Sequence, residues 1–197
     1  MKFLSLTLLI AACTVASCGN DSATTQKIAQ EKHQAAWIDS FREFRNAVYQ
    51  RNKPKVKDYM QFPLSDSNNN IWYMVYDGAE EKTASLANTV KPFTEKDFDR
   101  YYDSLFTKRF INCILKLKTE ELVKREQVAT QSFTEGNTTY IMYATYDKRE
   151  SRLILNLLST RLHKVDDETE KIEFSEVYIF DIPADGKIQF KKLELAG

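Results

Sequence analysis

The sequence predicts an α+β domain in which N-terminal helices pack on the concave face of a strongly curved antiparallel sheet. Three observations carry that expectation. Apolar residues recur at threes and fours through the first two thirds of the chain, and after Glu126 the period changes to alternation. The alternating segments are joined by "TEGN", "RE", "KVDDETE" and "PADG", connectors too short for parallel crossovers, so neighbouring strands must be antiparallel. Finally, the run from Arg152 to His163 would reach about 40 Å at ~3.4 Å per residue, more than a small flat sheet uses, so the sheet should coil around the helices.

The elements follow in order. Between Ile28 and Tyr49, Trp37, Phe41, Phe44 and Val48 fall at helical spacing among Gln34, Asp39, Arg42, Glu43 and Arg45, which predicts one buried stripe. "NKPKVKDYMQF" offers Asn52 as a cap and Pro54 in the first turn of a short helix that packs Val56, Tyr59 and Met60. The polar "PLSDSNNN" then leads into "IWYMVYDG", an expected strand ended by Asp77 and Gly78. In "PFTEKDF", Thr94 caps a helix with Asp97 as its acidic partner, and Phe93 staples onto Phe98. Behind that cap Tyr102, Leu105, Phe106, Arg109, Phe110, Cys113, Ile114 and Leu117 continue an apolar face, and "KTEELVKRE" adds a short helix. Five strands complete the chain: "QVATQSF", "TTYIMYATYDK", "SRLILNLLSTRLH", "KIEFSEVYIFDI" and "GKIQFKKLEL". In the second, Tyr140, Met142, Ala144 and Tyr146 share one face while Ile141, Tyr143 and Thr145 share the other. In the last, Leu193 and Leu195 are out of phase with Ile188 and Phe190 across Lys191 and Lys192, which predicts a bulge.

Composition narrows the function classes. The 197 residues are 43% hydrophobic and 12% aromatic, enough for one well-packed domain after a processed N-terminus. Basic and acidic residues are equal at 28 each, so no charge excess recommends nucleic acid. The first residues, "MKFLSLTLLIAACTVASC", have one lysine, an apolar core and small residues before a cysteine, the build of a secretory signal peptide. The apolar run is too short and too interrupted by Ser5, Thr7 and Thr14 for a spanning helix.

The stretch Val15, Ala16, Ser17, Cys18 resembles a bacterial lipoprotein signal of the Bacteroidetes type. Ile10, Ala11, Ala12, Cys13 also fits, but using Cys13 would shorten the hydrophobic region and leave a second thiol beside the anchor. The resemblance implies a signal peptide over residues 1–17, lipid on Cys18, a polar tether over 18–27 and a domain over 28–197. It further implies an extracytoplasmic, membrane-anchored protein of the cell envelope, with the outer membrane favoured over the inner. Cys113 is then the remaining thiol, and its place on an apolar helix face predicts a small buried hydrophobe.

Phe41, Phe44 and Val48 in "FREFRNAV", then "YMQFPL" and the aromatic segment with Trp72, resemble the uncharacterised NTF2-like lipoproteins. That likeness implies a cone of curved sheet closed by N-terminal helices, a fold that hosts isomerases, dehydratases, hydrolases and non-catalytic modules alike. An enzyme of this kind would use an aspartate with a tyrosine, for which Asp77, Asp147 and Tyr143 are the candidates. Asp77 and Asp147 both sit where strands should turn, which favours a non-enzymatic binding or interaction module; either one inside the cone beside a solvent-accessible cavity would overturn that preference. Trp72, Tyr76 and Tyr140 are the candidate ligand-pocket residues, for a small molecule or an envelope protein. A structural or assembly subunit, with a homodimer through the sheet, is the third reading. No cofactor is expected: the chain has two histidines, five glycines, no phosphate-binding loop and no zinc-site spacing. His163 before Asp166, Asp167 and Glu168 reads as a charged connector, because the acids are consecutive and do not alternate as in a calcium loop.

Overall fold

In the computed structural model, which describes residues 21–77, 79–86, 89–165 and 168–197, helix α1 (Asp21–Tyr49) presents the expected stripe. Packing divides the chain into an N-terminal unit ending at Lys32, helical from Asp21, and a second unit from His33 to Gly197. In the second unit Trp37, Phe41, Phe44 and Val48 are completely buried. Phe44 meets Tyr59, Phe106 and Phe180 edge-on, with ring centroids 5.4, 5.9 and 5.0 Å away, an arrangement that opposes ring edge to ring face.

Helix α2 (Lys53–Lys57) is capped by Asn52, whose side chain accepts from the Lys55 N–H. The segment expected as the first strand is instead helix α3 (Asn70–Tyr76). Its apolar residues Ile71, Trp72 and Val75 are buried while Tyr73 is exposed, a helical pattern that six residues of mixed aromatic and aliphatic character do not distinguish from a strand. Long-range hydrogen bonds settle it. Asn69 donates to the carbonyls of Leu86 and Thr89 and accepts from the Lys91 N–H, and Trp72 Nε1 donates to the Lys91 carbonyl at 2.7 Å. A short helix α4 (Glu80–Ala84) follows.

Thr94 and Asp97 form the reciprocal capping box of α5 (Glu95–Leu105). The apolar face behind it is divided between two helices. Thr107 accepts from the Phe110 N–H and starts α6 (Lys108–Ile114), so a second cap interrupts what periodicity alone runs together. Helix α7 (Thr119–Arg125) precedes the sheet.

The strands are β1 (Gln127–Ala129), β2 (Phe133–Glu135), β3 (Thr138–Asp147), β4 (Arg152–Val165), β5 (Glu168–Asp181) and β6 (Gln189–Ala196). The expected strand "QVATQSF" is split because Thr130 breaks away: its hydroxyl takes the Met142 N–H that a strand carbonyl would otherwise accept. Both pieces pair with β3. The predicted bulge is present, since Ile179 faces Lys192 and Phe180 faces Phe190, leaving Lys191 unmatched.

The α+β class and the antiparallel sheet hold, but the NTF2-like cone does not. The order is β1/β2, β3, β4, β5, β6, an open sheet whose first and last strands do not pair. The reason lies in the ladders. The β3–β4 and β4–β5 pairs keep an unbroken register, Thr138 with Arg161 through Asp147 with Arg152, and Arg152 with Asp181 through Val165 with Glu168. Bulges promote curling; a register shift falls between β5 and β6, and one extra residue separates β1 from β2 along β3, but the long β3–β4 and β4–β5 ladders have none. The sheet is neither closed nor strongly curled, and Ile172 and Phe174 on the inner face of the long β4–β5 hairpin remain 41% and 40% exposed.

The core lies between α1, α3, α5 and α6 and the inner sheet face, which alternation assigns to Tyr140, Met142, Ala144 and Tyr146 on β3, Leu153, Leu155 and Leu157 on β4, and Tyr178 and Phe180 on β5.

Candidate functional site

The inner face of β5 reads Ile172, Phe174, Glu176, Tyr178, Phe180, and it changes character along its length. Tyr178 and Phe180 are sealed under the helices, Ile172 and Phe174 are open, and Glu176 falls on the boundary. Here the C-terminus of α3, the junction between α5 and α6, and strands β5 and β6 enclose a cavity of about 250 Å³. Tyr73, Met74, Phe174 and Leu195 give it apolar walls; Ser104, Thr107, Asp77, Arg109 and Glu176 supply the polar groups.

Burial pushes the Glu176 carboxyl up from its ordinary pKa; Arg109 and a hydrogen bond from Tyr178 oppose the shift, and the charge of Asp77 adds to it. The fully buried Tyr178 hydroxyl is 2.8 Å from the Leu105 carbonyl and 3.2 Å from Glu176 Oε2, so one proton serves two acceptors. Its own pKa is raised well above that of a free phenol, by burial first and the neighbouring carboxylate second. Arg109 Nη1 donates to the Tyr140 hydroxyl at 3.1 Å, with the guanidinium 5.3 Å from the centre of the Tyr140 ring. That hydrogen bond keeps Arg109 firmly protonated. Arg109 and Glu176 both face the cavity, yet among the described residues neither forms an ion pair. The two charges feel each other across the cavity without a direct salt bridge, so a ligand can reach both.

The sequence candidates fare unevenly. Asp77 does line the cavity, at its exposed rim, where its left-handed backbone (φ 45°, ψ 55°) ends α3. Asp147 is at the β3–β4 hairpin, its Oδ1 accepting from the N–H groups of Arg149 and Glu150, a turn-forming role. Tyr143 is 44% exposed on the opposite face of the sheet. Trp72 is buried and Tyr76 half-buried; they pack against each other, and Lys91 Nζ rests 3.8 Å from the Trp72 ring centre and donates to the Tyr76 hydroxyl. That aromatic pair is already occupied from within the chain. Tyr140 is buried, holds Arg109 through its hydroxyl, and lines a hollow of about 190 Å³ together with Arg109 and Phe174. Cys18 lies outside the described residues.

Glu176, Arg109, Ser104 and Thr107 were not singled out by sequence reasoning. For two of them a signal was present: Glu176 is in phase with Tyr178 and Phe180 on a strand, and Arg109 is the charged member of the helical stripe that includes Phe106 and Phe110. Cys113 is fully buried, and desolvation raises its thiol pKa, which suits packing and not nucleophilic chemistry. Among the described residues no group of three or more histidine, cysteine, aspartate or glutamate side chains is placed to hold a metal ion. Comparison of the chain with protein-family models, with curated proteins and with solved structures finds no match.

Proposed function

We propose that this chain is a lipid-anchored binding module of the bacterial cell envelope, extracytoplasmic and favouring the outer membrane, whose ligand seat is the cavity at the open end of the helix–sheet seam. The observation that carries the binding role is the opposite charges of Arg109 and Glu176 lining one cavity without a direct salt bridge, among the apolar walls of Met74, Phe174 and Leu195. The anchor rests on Cys18 and the residues before it, and among the described residues no helix is long and apolar enough to cross a membrane. Crystals soaked with a panel of small amphipathic amines, carboxylates and zwitterions test the seat. Density for at least one member against Met74 and Phe174 is the expected result, and a cavity that stays empty across the panel contradicts the reading. Mass spectrometry of the mature N-terminus tests the anchor: an acylated Cys18 is expected, and an unacylated chain starting elsewhere refutes it.

Asp77 beside this cavity favours a second reading, an acid–base enzyme in which Glu176 is the proton donor and Asp77 its charged partner. Binding takes precedence because Asp77 is exposed and, among the described residues, accepts no side-chain hydrogen bond from a tyrosine or histidine that would orient it. Turnover of a glycoside or ester that disappears in Glu176→Gln would reverse that order.

A further inference from the structure

The cavity continues beyond Arg109. A second hollow of about 190 Å³ shares Arg109 and Phe174 with the first, so the two adjoin as one groove over the inner face of the hairpin. The strand register orders its floor in three rows. Met142, Leu157 and Glu176 form one, Tyr140, Ser159 and Phe174 the next, and Thr138, Arg161 and Ile172 the last. Charge follows the same order. Asp77 and Glu176 stand at one end, Arg109 lines both hollows, and Arg161 faces the second, among whose described residues there is no carboxylate. Among the described residues neither arginine forms a salt bridge, although Arg109 feels the charge of Glu176; the half-open Phe174 lies between the two ends and Ile172 lies beside Arg161.

We infer that the groove binds a short apolar peptide with free ends, its ammonium at Glu176 and Asp77 and its carboxylate at Arg109 and Arg161. This deepens the reading of the cavity as a ligand seat and rests on it. Length follows from the register. The Glu176 and Ile172 rows are four residues apart on β5, about 14 Å at ~3.4 Å per residue, and an extended peptide advances by the same amount, so three or four residues span the groove. A guanidinium pair matches a carboxylate with directed N–H groups, and an ammonium completes a carboxylate whose burial disfavours its charge. Ligands with only one charged end leave the opposite group of the groove desolvated and unpaired, which is how the groove discriminates.

Calorimetric titration of the full chain with Ala-Leu-Ala, its N-acetyl form and its C-terminal amide tests the inference. Each blocked end is expected to weaken binding by about tenfold or more, the worth of one hydrogen bond to a charged group. Glu176→Gln should reduce the preference for a free amine, leaving the contribution of Asp77. Arg161→Gln, at an exposed position that the fold does not depend on, should reduce the preference for the free carboxylate. The inference is overturned if the blocked peptides bind as tightly as the free one. It is also overturned, with the ligand seat intact, if no peptide binds while members of the amphipathic panel still occupy the cavity; if neither binds, both readings fall together.

Discussion

Glu176 is the residue on which the site turns. Its carboxyl is raised above the ordinary glutamate value because the folded chain desolvates it. In the interval between the ordinary and the raised value the folded protein holds a proton that the unfolded chain has released, so stability falls as pH rises through that interval. Glu176→Gln removes the dependence. Melting temperatures measured between about pH 4 and pH 8 should decline with pH more steeply in the parent than in the variant, and equal slopes would remove Glu176 as a strained group. A bound ammonium reverses the balance by favouring the ionised form, which makes binding of a cationic group stronger as pH rises through the same interval. At Tyr59 and Tyr102, whose pKa values burial pushes up to about 12, the phenols stay neutral and serve the core.

At the scale of elements, caps and turns fix where helices begin and how they meet. Thr94→Ala deletes the acceptor that Asp97 N–H uses and should cost about 1 kcal/mol, measurable by urea denaturation. Gly186 makes a more severe prediction. Its φ is +76°, and a Cβ there would come within 2.6 Å of Ala36 Cβ on α1. Gly186→Ala therefore combines a left-handed penalty of ~1–2 kcal/mol with a steric collision, and it should destabilise more than Thr94→Ala. Both features differ in how far they can be read in advance. The box at Thr94 was legible because its residues are local and its spacing is diagnostic, as were the buried stripe of α1, the strand phases and the Lys191 bulge. Helix α3 was not, because "IWYMVY" satisfies either period and its docking is decided by Asn69 and Trp72 bonding to residues about twenty positions away. The break before α6 was hidden for a similar reason, a threonine cap inside a continuing apolar pattern.

At the scale of the molecule, openness of the sheet matters more than its strand count. A cone would have enclosed the ends of β4 and β5, whereas unbroken ladders carry the hairpin past the helices and leave Ile172, Phe174 and Arg161 at a groove. The length of that hairpin was visible in the sequence; the absence of strong curling was not, because alternation does not reveal whether a long ladder contains bulges. The site emerged for the same reason: Asp77, Arg109 and Glu176 are far apart in the chain, and only the packing of α3 and α6 against β5 brings them to one cavity. The most direct measurement follows the methyl resonance of Met74, a wall of that cavity, while the amphipathic panel is titrated into the protein and into Ser104→Trp, which fills the space. The account predicts a saturable shift with at least one compound in the parent and none in the filled variant. A Met74 resonance that no compound moves, or that moves equally in both proteins, would contradict it.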